Sequence, residues 1–221
     1  MTEVAIIIPV LARPQNVGPV LQSIADSTPT AHVIFVADPD DLTEITEIKA
    51  YQVISGALYG DLTISLLTDG GNYAEKIGLA VHVCDEPFIF TGADDLRFQV
   101  GWFDAALEKI AGGAHVVGVN DLLPRRRSHA THFLMTREYA LRPTIDGGMG
   151  PLHTGYDHSF VDDEMIATAQ RREVYVYAPR AEVQHLHPQG RSAPDDDTYR
   201  KGRANFEQDR KVFHERSARW T

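Results

Sequence analysis

Two acidic clusters and a pair of alternating histidines are the residues whose types and spacing could do chemistry. They are Asp94-Asp95, Asp162-Asp163-Glu164, and His185 with His187. Asp94 and Asp95 follow the apolar run Phe88-Ile89-Phe90-Thr91. Strand ends in an open α/β sheet are where ligands bind. Carboxylates followed later by an imidazole suit a hard or borderline divalent cation. Such a cation neutralises phosphate, so the set points to metal-assisted chemistry on a phosphate-bearing substrate. Each element also has a plain structural reading. An Asp pair after a strand serves as a cap or turn. Asp162 suits a helix N-cap, with Glu164 favouring the helix dipole. His185 and His187 share one face of a strand. His153 and His158 flank a glycine-rich loop and read as loop polar groups.

The elements that must position these residues begin with Val4 to Val10, an apolar run that predicts a buried strand. Pro14 opens a helical pattern with Val17, Val20, Leu21 and Ile24 on one face. His32 to Ala37 reads as a second strand, Leu42 to Ile54 as a helix, Leu62 to Leu67 as a third strand and Tyr73 to Val83 as a helix. Pro87 to Thr91 reads as the fourth strand. Strand and helix thus alternate, which predicts a Rossmann-like, mostly parallel sheet. The second half is less regular. Helices are expected over Gly101 to Ala111 and Asp162 to Arg171. Strands are expected at Ala114 to Val119, Thr131 to Thr136, Glu173 to Ala178 and Ala181 to Leu186, the last two split by Pro179. Tyr199, Phe206, Phe213 and Trp220 recur every seven residues, one stripe of a terminal helix. That stripe either docks on its own domain or forms a homodimer seam, and Gly202 weakens both readings.

The 221 residues fit one domain, with a half at 1–95, a second at 96–190 and a helical tail at 191–221. A net charge of −10 makes the chain a poor generic polyanion binder. Arg125-Arg126-Arg127 reads as a solvated turn, with a nucleic-acid backbone contact as the alternative. The single cysteine, Cys84, lies in an apolar run and reads as a buried side chain in a reducing compartment. No apolar stretch is long enough to span a membrane, and the N-terminus lacks the plan of a signal peptide. A cytoplasmic protein without stable membrane association is the expectation.

Taken in order, the motifs resemble the family 2 glycosyltransferases of the GT-A fold. The first strand and its Arg are Ile8-Pro9-Val10-Leu11-Ala12-Arg13, and the second strand ends at Asp38. The turn before the metal motif is Gly70-Gly71-Asn72-Tyr73-Ala74-Glu75-Lys76-Ile77-Gly78. The metal motif is Phe90-Thr91-Gly92-Ala93-Asp94-Asp95. After Asp162-Asp163-Glu164, Pro179 and His185 match a Pro-to-His closing strand. The resemblance covers residues 3 to 190. It implies a single GT-A domain with a C-terminal helix, a nucleotide-sugar donor (UDP or GDP) and Mn²⁺ or Mg²⁺. Pro9, Ala12, Arg13, Asp38, Asn72, Lys76, Ala93 and Asp94 are the implied nucleotide site. Asp94, Asp95 and His185 are the implied metal ligands. Asp163, with Asp162 as rival, is the implied general base of an inverting transfer. Trp102 and Glu164 are candidates for the sugar or acceptor, Trp102 reading more readily as a helix-face core residue. Gly92 stands where the family's first metal-motif Asp would be, which bears on metal affinity and ribose contacts.

Arg13 and Lys76 are candidates for phosphate or base contacts, or else solvated side chains. Arg191, Lys201 and Arg203 are candidates to close over the diphosphate from the tail. The acceptor remains open among a glycan, a protein and a modified nucleobase. A sugar-1-phosphate nucleotidyltransferase shares a related fold, but Leu11-Ala12-Arg13-Pro14-Gln15 lacks the glycines of its loop. A non-catalytic nucleotide- or sugar-binding module draws support from Gly92. A metal hydrolase is disfavoured because no His-Glu-x-x-His motif occurs.

Overall fold

The computed structural model describes residues 3–124, 129–146, 148 and 150–220. Arg125, Arg126 and Arg127 lie outside the described residues. In chain order the elements are β1 (Val4–Pro9), α1 (Val17–Ser27), β2 (His32–Ala37), α2 (Leu42–Tyr59), β3 (Thr63–Thr68), α3 (Tyr73–Val83), β4 (Phe88–Thr91), β5 (Leu96–Phe98) and α4 (Trp102–Ala111). They continue with β6 (Val116–Asn120), β7 (Phe133–Thr136), α5 (Arg137–Ala140), α6 (Val161–Arg171), β8 (Tyr175–His185), α7 (Asp197–Ala204) and α8 (Phe206–Ser217).

Eight strands form one sheet in the order β3-β2-β1-β4-β7-β6-β8-β5. The first four are parallel, as the alternating pattern predicts. Along β1, Val4, Ile6 and Ile8 enter one apolar cluster with α1, α2 and α4, while Ala5 and Ile7 enter the other with α3, α5 and α6. Helices on both faces are why β1 is a continuous apolar run.

β7 pairs antiparallel with β4, and β6 antiparallel with β7. Two reversals restore the direction, so β6 and its parallel partner β8 point the same way as β4. The ends of β1, β2, β4 and β8 therefore meet at one edge. α3 and α6 begin at that edge too, because each runs antiparallel to the strands beside it.

Three expectations are corrected. Residues 175–185 form one strand, not two around Pro179; a register shift between Val119 and Asn120 absorbs the irregularity. Phe160, not Asp162, occupies the α6 N-cap, in the left-handed conformation at φ 67°. The tail forms two helices broken at Asn205. Phe206 and Phe213 pack on Phe160, with centroids at 5.1 and 5.2 Å, and Trp220 packs on Phe213. Tyr199 turns inward instead. Gly202 has a packing reason: a Cβ there would meet the His158 ring at 2.5 Å. Among the described residues no helix is long and apolar enough to cross a membrane.

Candidate active site

The loop after β1 is set by acids at the start of α2. The amide of Ala12 donates to Asp41 Oδ2 at 2.7 Å, and that of Arg13 donates to Glu44 Oε2 at 2.8 Å. Ala12 is left-handed at φ 52°, a conformation that costs a non-glycine residue about 1–2 kcal/mol. It turns the Arg13 side chain inward, where the residue is only 6% exposed. Arg13 Nη1 lies 3.4 Å from Asp94 Oδ1 and 3.2 Å from Asp95 Oδ2. Its Nε and Nη2 form a fork on the two oxygens of Asp196, each at 2.9 Å. The guanidinium lies over the ring of Tyr199 at 4.2 Å. The Tyr199 hydroxyl donates to Asp95 Oδ2 at 2.7 Å, with the Leu186 carbonyl also in reach at 2.8 Å. The tail thus enters the site that the first half builds.

Burial pushes both metal-motif carboxyls up. Asp94 stays up, with the charge of Asp95 beside it. The nearby His185, the bond from the Tyr199 hydroxyl and the charge of Arg13 bring Asp95 below the usual carboxylate range. Arg13 uses Asp94 Oδ1 and Asp95 Oδ2. Among the described residues, the buried Asp94 Oδ2 and Asp95 Oδ1 meet no hydrogen-bond donor, although His185 Nε2 lies 3.4 Å from Asp95 Oδ1. Two open carboxylate oxygens beside an imidazole fit the donor chemistry of a divalent cation. No three His, Cys, Asp or Glu side chains among the described residues are gathered tightly enough to hold one. A first Asp has no room: Gly92 donates its amide to the Ile7 carbonyl at 2.7 Å, and a Cβ would sit 2.9 Å from that oxygen.

At the head of α6, His129 Nε2 lies 3.2 Å from Asp162 Oδ2, and its Nδ1 lies 3.8 Å from Asp163 Oδ1. Asp163 is the more open, its side chain 40% exposed against 17% for Asp162. Tyr73 links this cluster to the metal motif. Its hydroxyl donates to the Gly92 carbonyl at 3.3 Å. Burial raises its pKa, and the charges of Asp162 and Asp95 both add to the rise.

Lys76 is also buried, its Nζ 3.4 Å from the Val10 carbonyl, so neither it nor Arg13 is a solvated side chain. Burial lowers its pKa against the opposing charges of Asp38, Asp69, Asp41 and Glu44. Glu44 is fully buried, and burial pushes it up to about 7 despite the bond from the Arg13 amide. Its folded value lies above the ordinary 4.5. The folded chain therefore holds a proton that the unfolded chain releases, and the stabilisation is lost as pH rises through about 7. Wild type should lose thermal stability between pH 5 and pH 8, and Glu44→Gln should flatten that decline by roughly 1–3 kcal/mol. Parallel pH–melting curves check this; equal slopes for the two proteins would refute it.

Neither a protein-family model nor a characterised protein sequence gives a significant match. Solved structures do. The mannosyltransferase PcManGT from Pyrobaculum calidifontis, in complex with GDP-Man and Mn²⁺, superposes at TM-score 0.69 with 14% identity, over 92% of this chain and 61% of that one. TarS 1–349 of S. aureus gives 0.61 and 12%, over 84% of this chain and 60% of that one. Glucosyl-3-phosphoglycerate synthase from Mycobacterium tuberculosis, with Mn²⁺, UDP and glucosyl-3-phosphoglycerate, gives 0.59 and 11%, over 94% and 80%. This is the GT-A glycosyltransferase fold. The chain spans about three fifths of the length of the first two.

Within this GT-A fold the expected residues divide. Arg13, Asp94, Asp95 and His185 come together, with Lys76 nearby at the Val10 carbonyl. Pro9, Asp38 and Ala93 lie half-buried at the same strand ends. Three assignments are corrected. Trp102 is 1% exposed among Phe90, Phe98 and Phe103, its Nε1 bonded to Thr28 Oγ1, which leaves no ring face for a sugar. Glu164 is buried and bonded to Tyr156 and Arg216, so it braces α6 and does not face an acceptor. Asn72 caps α3 through Oδ1 and ties the carbonyls of Thr154 and Tyr156 through Nδ2. Its side chain is committed to structure.

The structure adds residues that sequence reasoning missed. Asp196 and Tyr199 reach Arg13 and Asp95 from more than a hundred residues away. Tyr199 was visible only as one member of the aromatic stripe. His132 donates Nδ1–H to the Thr91 carbonyl at 2.9 Å, so its buried Nε2 carries a lone pair beside His185, 5.3 Å away ring to ring. Burial pushes its pKa down to about 4.

Proposed function

We propose that the chain is a glycosyltransferase that moves a sugar from a nucleoside-diphosphate donor, UDP- or GDP-linked, to an acceptor hydroxyl with inversion. One observation carries this reading. At the shared strand edge, a buried Arg faces the two carboxylates of the metal motif, and Tyr73 feels both Asp95 there and Asp162 in the α6 cluster. An anion-binding Arg and a candidate base in the α6 cluster are what such a transfer needs.

In this reading Asp38 faces the nucleotide base, with Pro9, Ala12 and Ala93 lining its seat. Arg13 and Lys76 meet the diphosphate, where fixed positive charge stabilises the leaving group. Asp94, Asp95 and His185 would hold Mn²⁺ or Mg²⁺, which when bound supplies further charge neutralisation on the diphosphate. The acceptor oxygen attacks the anomeric carbon. The bond from that carbon to the diphosphate oxygen breaks, the diphosphate leaves with the electron pair, and the hydroxyl proton passes to Asp163.

A melting-temperature panel of UDP, GDP, dTDP, CDP and ADP, each with and without Mn²⁺, tests this. Ligands that bind the native state raise its stability by mass action. A rise with one nucleotide, enhanced by Mn²⁺, is expected. Release of that nucleoside diphosphate from its sugar conjugates should follow. No shift with any of the five would overturn the reading.

A further inference from the structure

We infer that the segment Asp196–Tyr199 is a latch whose Asp196 carboxylate stands in for the donor diphosphate on Arg13. The inference rests on the functional reading above. A carboxylate and a phosphate present the same pair of oxygens to a guanidinium fork. Arg13 commits its whole Nε/Nη2 edge to Asp196, while Nη1 goes to Asp94 and Asp95. A diphosphate that uses the fork must displace Asp196. Its other side is floored by Tyr199, whose hydroxyl bonds the Asp95 carboxylate.

The contact is built to be exchanged. Asp196 is 37% exposed against 7% for Arg13, so the acid can swing into water while the base stays in place. Arg13 then remains neutralised by Asp94 and Asp95. A cavity of about 280 Å³ lies where the two segments meet, lined by Leu11, Ala12, Gln15, Asp197, Thr198 and Lys201 beside the ion pair. It gives the α7 end room to move. The stand-in taxes affinity: a donor binds only the open fraction of molecules, so its apparent Kd is raised by that fraction.

Asp196 also caps α7 by accepting the Tyr199 amide at 3.0 Å. Asn caps as well as Asp, so Asp196→Asn removes the charge and keeps the helix. Asp196→Ser is the second variant, for the same reason. Calorimetric titration with UDP and GDP plus Mn²⁺ is the test, with amide hydrogen exchange over residues 196–204 read alongside. Both variants should bind the preferred nucleotide roughly ten- to a hundredfold more tightly than wild type. Nucleotide should accelerate exchange over 196–204 in wild type. Wild-type binding that neither variant tightens overturns the latch and leaves the donor-site reading intact. Failure of all three proteins to bind any nucleotide overturns both.

Discussion

Asp163→Asn should cut turnover by about 10²–10⁴, the range over which a positioned general base contributes, while nucleotide affinity stays within twofold or so of wild type. Both carboxylates of the cluster sit on the first turn of α6, behind the strained Phe160. Asp162 is the enclosed one, held against His129 and felt by Tyr73. Asp163 is the open one, and a base has to reach an acceptor that arrives from solvent. Asp162→Asn should cost less, because it disturbs the orientation of the cluster and not the proton transfer itself. Steady-state kinetics on both variants, with nucleotide binding measured separately, decide the matter. A larger loss in the Asp162 variant would move the base to that residue, and a full-rate Asp163→Asn enzyme would remove the mechanism.

The second large effect concerns stability. Arg216 is braced between Glu164, at 2.7 and 2.5 Å, and Asp146, at 2.6 and 3.2 Å. Glu164 also accepts from the Tyr156 hydroxyl at 2.6 Å, and its side chain is 4% exposed. Removing one partner from such a buried pair leaves an uncompensated charge, at a cost of about 3–5 kcal/mol. Arg216→Ala should therefore lower the unfolding free energy obtained from urea titration by that amount. The double variant Glu164→Gln, Arg216→Ala should be less damaged than the single, since the buried charge is gone. A loss below about 1 kcal/mol in the single variant would mean that Glu164 finds another neutralising group. Asp162 and Asp163 lie on the same turn as Glu164, so Arg216→Ala should also lower turnover.

The parallel half of the fold was legible because β1 and β2 are buried on both faces and read as unbroken apolar runs. The elements that were missed are those whose shape is settled by partners. β5 is three residues long and exists by pairing with β8. The strand through Pro179 stays whole because the neighbouring register shifts. The candidate site was legible where chemistry and strand ends coincide, at Arg13, Asp94, Asp95 and His185. It was illegible where a side chain serves as a strut. Trp102, Asn72 and Glu164 have the right types for ligand contact, and only their hydrogen bonds to Thr28, Thr154, Tyr156 and Arg216 assign them elsewhere. The pairing of Arg13 with Asp196 spans 183 positions, and no local pattern announces it.

Asp209 holds the approach to α6 by accepting from three successive amides, those of Asp157, His158 and Ser159, at 2.9, 2.9 and 2.7 Å. The ribosome delivers the chain from its N-terminus. The sheet, with Arg13 and both metal-motif acids, is therefore synthesised well before the residues that steady the α6 cluster. A nascent chain halted at residue 200 carries Arg13, Asp94, Asp95 and His185 but lacks Asp209 and Arg216. On the proposed reading, competence for transfer waits until the last residues of the tail have been synthesised.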